Sequence, residues 1–245
     1  MSSIGQKISN RFWEFLMLFI AITLGFFVEN YREGLADREK ESEIIISFIN
    51  DLNTDIKELE VAINRREIRE IRVDSVMYIF NNGLENKYGK DLYYYARYLS
   101  RPFVFWANNT TVEQLKYSGN FILIKNQKLI DNLLDYNDNY VFINYIRQRE
   151  EYLVRRIFDQ INEIFDPKVF DEMNVYDIEF VYPSGNPKIN SNSEKAIKEL
   201  MSNLHYIKTV NLGQLGLFRE HQKRAKQILN YIYNEYPDSK SALKN

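Results

Sequence analysis

FWEFLMLFIAITLGFFV, residues 12–28, carries one charge, Glu14. As a helix it spans about 25 Å, slightly short of a hydrocarbon core of ~30 Å. Asn30 and Tyr31 extend it, and Trp13 and Tyr31 stand where interfacial aromatics belong. A cleaved leader needs a small-residue cleavage site, whereas the following ENYREGLADRE is highly charged. Burying so aromatic a helix on all sides needs a large surrounding core. The segment therefore reads as a transmembrane helix over residues 12–31, after a short cytoplasmic tail, residues 1–11. Lys7 and Arg11 precede it, and Arg32, Arg38 and Lys40 follow. This near-even tally sets orientation only weakly, toward an inside N-terminus. Glu14 lies about one turn inside the edge, placed for headgroups or for an interhelical contact.

Outward from the span, Gly34 is the only Gly or Pro between Glu29 and Phe80. Ile45, Phe48, Leu52, Ile56, Leu59 and Ile63 step by threes and fours, one face of a helix. Past Ile63 the polar Arg66 and Glu70 fall where apolar residues are due. A second line then follows Ile68, Ile71, Val76 and Phe80, so a bend or a change of neighbours is expected near residues 64–70. Asn81-Asn82-Gly83 is a stop signal. Span and stripe form one helix or two separated at Gly34.

Further helices are expected from Asp91 to Arg101, from Thr110 to Ser118, from Asn126 to about Phe165, and from Glu194 to Tyr236. Thr110 with Glu113 and Ser191 with Glu194 match capping boxes, and Asn126 can cap. Residues 166–192 form an irregular insertion in which DIEFVY suggests a short strand; residues 237–245 read as a flexible tail. The fold class is mainly α. A transmembrane helix runs into a long helix, packed with later helices as an antiparallel bundle over residues 32–236.

The chain has 245 residues with 32 Lys plus Arg and 34 Asp plus Glu. That balance excludes nucleic acid as a main partner. No cysteine is present, which removes disulfides and thiolate chemistry. The two histidines, His205 and His221, are too far apart on one helix to act together, and no metal-binding or phosphate-loop spacing occurs. No catalytic, cofactor or metal residue is assigned, and no enzyme activity is expected. Ser118-Gly119-Asn120 reads as a structural corner, with Gly119 at positive φ. The helix of Tyr93, Tyr94, Tyr95 and Tyr98 must be partly packed and partly exposed.

Two segments, FWEFLMLFIAITLGFFVENYRE and residues 111–136, TVEQLKYSGNFILIKNQKLIDNLLDY, together resemble a Bacteroidota family of uncharacterised single-span membrane proteins. Glu14, the Asn30-Tyr31-Arg32-Glu33 exit, and Thr111, Glu113, Leu115, Ser118, Gly119 and Asn120 carry the resemblance. Tyr31 replaces a more typical Trp, and neither the insertion nor the last helix is covered. The resemblance implies single-pass insertion in a bacterial inner membrane with the bulk of the chain periplasmic; it implies no activity.

The expected function is a membrane-anchored structural or interaction protein. Its partners are the lipid bilayer and a second copy, reached through Glu14, Ile45, Phe48 and Leu52. The alternative is a sensor-like or ligand-binding domain that signals through a separate membrane protein. Its pocket would be lined by the insertion or by the tyrosine helix.

Overall fold

The computed structural model describes residues 3–101, 104–174, 180–190 and 193–239, with side chains from residue 12 onward. Helix α1 runs unbroken over Ser3–Asn81, 79 residues, with no interruption at Gly34. Its length is about 120 Å at 1.5 Å per residue. Within it lies a segment long and apolar enough to cross a membrane, with none of that segment buried against the rest of the chain.

Beyond residue 40 the helix joins a bundle. Besides Ile49 and Ile79, which lie beside them, the buried positions are Glu41, Ile45, Phe48, Leu52, Asp55, Leu59, Ala62, Arg66, Arg69, Val73, Val76 and Phe80. They alternate steps of four and three without a break, a coiled-coil seam. This corrects the second line expected after Ile63. Ile68 and Ile71 point outward, 37% and 64% exposed, and the original seam continues through two arginines. Ile56 and Ile63 are only partly buried and flank the seam, with Asp55 and Ala62 on it.

The chain turns at Gly83 (φ +62°) and descends. The descending element is broken: helix α2 (Gly89–Leu99), an extended stretch through residues 104–109, and helix α3 (Thr110–Ser118). After a short 3-10 turn, α4 (Gln127–Ile164) ascends. A small helix α5 (Pro167–Glu172) stands in the insertion, and α6 (Glu194–Glu235) descends. Near the free apolar segment, Ile45, Phe48 and Leu52 pack with Leu129, Leu133, Ala225 and Ile232. Distal Val73 and Val76 pack with Ile157, Ile161, Leu200 and Leu204. The order is thus up, down, up, down, an antiparallel bundle with one interrupted member.

Several caps come from other elements. Asn126 and Ser193 cap α4 and α6 with their own side chains, accepting from the N–H groups of Leu129 and Ala196. The expected Thr110–Glu113 box does not form. The helix already begins at Thr110, and Asp51 of α1 accepts from the Thr111 N–H at 3.1 Å and hydroxyl at 2.5 Å. Ser191 of the second expected box lies outside the described residues. At the start of α2, the Asn186 side chain accepts from the Lys90 N–H at 2.9 Å. There the Pro187 carbonyl sits where a Cβ on Gly89 would be, 1.9 Å away, so only glycine fits. The first half of the expected DIEFVY strand, residues 177–179, lies outside the described residues; in the second half, Phe180 makes an isolated bridge with Asn174. Of the expected flexible tail, Ser239 is buried, with its N–H donating to the Tyr236 carbonyl; residues 240–245 lie outside the described set.

Candidate functional site

The bundle core is crossed by polar layers. Nearest the free apolar segment, Glu41 accepts from the Lys125 N–H and the Tyr236 hydroxyl, both at 2.9 Å. Burial, then the hydrogen bond to Glu41, pushes the Tyr236 phenol above its usual range.

The second layer lies beside the break in the descending element. Asp55, 1% exposed, accepts from the Asn108 N–H at 2.7 Å and from the Tyr136 hydroxyl at 2.8 Å. Burial raises its carboxyl to about 6 against the stabilising pull of both donors. Tyr136 stacks flat on His221, with centroids 3.9 Å apart. His221 is fully buried and its Nδ1 meets the Asn139 side-chain oxygen at 3.0 Å. Burial, then the nearby Arg224, lowers the imidazole to about 3, so the ring is neutral at pH 7. A void of about 20 Å³ lies against Asp55 and Tyr136. That is room for one water-sized molecule and far too small for a substrate.

The third layer holds charge. Arg66 donates to Glu150 at 2.8 Å and to the Asn211 side chain at 3.2 Å, and Arg69 donates to the other Glu150 oxygen. Asn211 returns a bond to the Arg66 carbonyl at 3.0 Å, and the Arg66 guanidinium lies 4.8 Å from the Phe218 ring centre. Burial lowers the Arg69 pKa; attraction to Glu150 opposes that and repulsion from Arg66 adds to it. Two guanidiniums thus share one carboxylate, all three nearly inaccessible. Further out, Asn203 donates to Gln160 at 2.9 Å.

The structure scatters the residues singled out from sequence. Glu14 is exposed on the free part of α1. Ile45, Phe48 and Leu52 are at most 2% exposed, inside the chain's own core. This corrects their reading as contacts to a second copy: α3, α4 and the end of α6 reach that level and cover the stripe. Gly119 has φ +70° at the C-terminus of α3, and the Asn120 N–H donates to the Ser118 hydroxyl at 3.3 Å, a corner built as its residues suggest. His205 is exposed and His221 is in the core.

The insertion and the tyrosine helix fill one another. The Tyr93 hydroxyl donates to the Lys188 carbonyl and accepts from the Asp166 N–H, and Tyr94 stacks on Tyr182 at 3.9 Å. An open groove remains beside them, on the outer side of α1 and α2, lined by Ile71, Tyr78, Tyr88 and Tyr95. Among the described residues, no group of three or more His, Asp or Glu side chains is placed to hold a metal ion.

Asp55, Arg66, Arg69, Glu150, Asn211 and His221 escape a sequence reading that follows apolar residues alone. Their signal is register: each continues a three-four seam. No family model matches this chain, and no curated protein or solved structure is significantly similar to it.

Proposed function

We propose that this is a single-span membrane protein that works by presenting a rigid helical bundle to other proteins rather than by catalysis. The observation that supports this reading is the continuity of α1. One helix carries the free apolar segment, 12–28, and the seam from Glu41 to Phe80, with no hinge between them. A lone helix of residues 29–40 lifts the bundle roughly 20 Å off the span at 1.5 Å per residue. The hydrogen bonds of Asp55 and of Glu150 are made by the chain's own groups, in keeping with specified packing rather than with an open reaction site. Near the bilayer, lateral contact with a second copy or another membrane protein then falls to the span and Glu14. The bundle lies on the periplasmic side of a bacterial inner membrane.

Two measurements test this. Full-length protein stays in the membrane fraction after carbonate or high-salt washing, while a chain beginning near Ser42 is soluble; release of the full-length chain refutes the anchor. A C-terminal reporter active only outside the cytoplasm lights up; a silent one overturns the orientation.

A further inference from the structure

We propose that the outer groove between α4 and α6 is the docking site for an acidic amphipathic helix of a partner protein. The inference rests on the interaction reading above and gives it a surface and a chemistry.

The groove is open, with a volume of about 480 Å³. Its walls carry Tyr145, Tyr152 and Tyr206, which are 57–61% exposed. Tyrosine and arginine are the residues that anchor protein interfaces. On α6 the exposed Gly213 and Gly216 stand one and two turns past the lining residues Thr209 and Val210. A Cβ on either glycine would meet nothing within 4 Å. The bundle's own packing therefore does not need them, although glycine is among the poorest helix formers. Small residues flanked by projecting aromatics leave room for the close approach of another backbone.

Charge and height choose the occupant. Arg149 is the charged residue lining the groove among the described residues. Arg155 and Arg156 follow two turns on, Arg156 reaching the Tyr152 hydroxyl at 3.5 Å, and none of the three pairs with a carboxylate among the described residues. A second copy tethered in the same membrane stands at the same height, so a two-fold axis along the membrane normal would set Arg149 against Arg149. Like charges so placed are rejected. Bilayer headgroups do not reach the groove. Arg149 is level with Arg66 and Arg69, which lie roughly 60 Å along α1 from the end of the span. The same distance excludes the stalk of a neighbouring copy, residues 29–40. The groove therefore suits a separate chain that rises as high as it does and presents carboxylates beside an apolar stripe, the helix-in-groove mode.

The test is photo-crosslinking of the full-length protein in the cells that make it. A photoreactive phenylalanine analogue is placed at position 145 or 206, with exposed position 117 as control. The expected result is one product at 145 and 206 but not at 117, mapped by mass spectrometry to a helix with Asp or Glu on the crosslinked side. R149E with R156E lowers its yield roughly tenfold. G213L, which improves helix propensity while adding bulk beside the groove, lowers it too. Circular dichroism and membrane retention stay unchanged in both. A product with this chain itself, with lipid or with a non-acidic segment overturns the proposal, as does an absent product or a yield indifferent to these substitutions. Membrane retention is read on the same samples, so failure of the groove is separable from failure of the anchor.

Discussion

Asp55 and His221 belong to one buried layer and titrate in opposite senses, which makes pH a probe of that layer. The Asp55 carboxyl is raised from 3.8 to about 6. Between those values the native state holds a proton that the unfolded chain has released. The stability from this group is therefore fully present below pH 3.8 and is lost as pH rises through 6. The His221 imidazole is lowered from 6.5 to about 3. Its contribution is present above 6.5 and is lost as pH falls toward 3. From pH 4 to 6 the folded protein has one proton more on Asp55 and one fewer on His221, and the two slopes cancel. Each alone is worth about 1.4 kcal/mol per pH unit, or about 3 kcal/mol across this window. Asp55→Asn should thus lose about 3 kcal/mol relative to wild type as pH falls from 6 to 4. His221→Phe, which keeps a ring against Tyr136, should gain about as much relative to wild type over the same fall. The assay is urea unfolding of the full-length protein in a non-ionic detergent at pH 4, 5 and 6. Each variant is read as a difference from wild type, which removes the titration common to all carboxylates. Differences that do not vary with pH, or that slope the same way in both variants, refute the pairing.

Glu150→Gln leaves Arg66 and Arg69 buried beside a neutral amide and should cost about 3–5 kcal/mol. The triple change R66M, R69L, E150L should recover most of that loss, by the same urea titration at pH 7. Phe48→Ala, in the core at 2% exposure, should cost about 3–5 kcal/mol without altering the oligomeric mass seen by native mass spectrometry. Gly119→Val forces a branched residue to φ +70° and should lower stability by about 1–2 kcal/mol, against a few tenths for the exposed Asn120→Ala; thermal unfolding compares them.

The broad fold was legible because its signals are local. Asn81 to Gly83 stops a helix, Asn126 caps one, and Gly119 takes a left-handed corner, all from nearest-neighbour chemistry. The interior was less legible because burial was inferred from apolarity. The apolar Ile56 and Ile63 drew the stripe half a step off the seam, and Arg66 and Glu70 looked like its end, whereas Arg66 and Arg69 lie in the middle of the seam. A strict alternation of threes and fours from Ile45 would have placed Asp55, Ala62, Arg66 and Arg69 inside without reference to their polarity. The α3 cap was illegible for a different reason. Its acceptor, Asp51, is 60 residues away in sequence, and no local pattern announces it.

The polar residues and the broken helix are parts of one solution. Where the descending element gives up helical structure, over residues 104–109, its backbone N–H groups lose their intrahelical acceptors. The carboxylates of Asp51 and Asp55 on α1 supply acceptors to Thr111 and Asn108, at the end of that break. A carboxylate in that position needs further support on its buried side, and the Tyr136 hydroxyl provides it, held flat against His221. Just above, the seam is filled by arginines, whose long side chains reach Glu150 on α4. Apolar side chains would pack such layers in many registers, whereas these bonds are satisfied in one. The same helix that carries the free apolar segment thus fixes how the remaining elements sit against it. The seam that begins at Glu41 and the groove level with Arg66 keep a constant distance from the end of that segment.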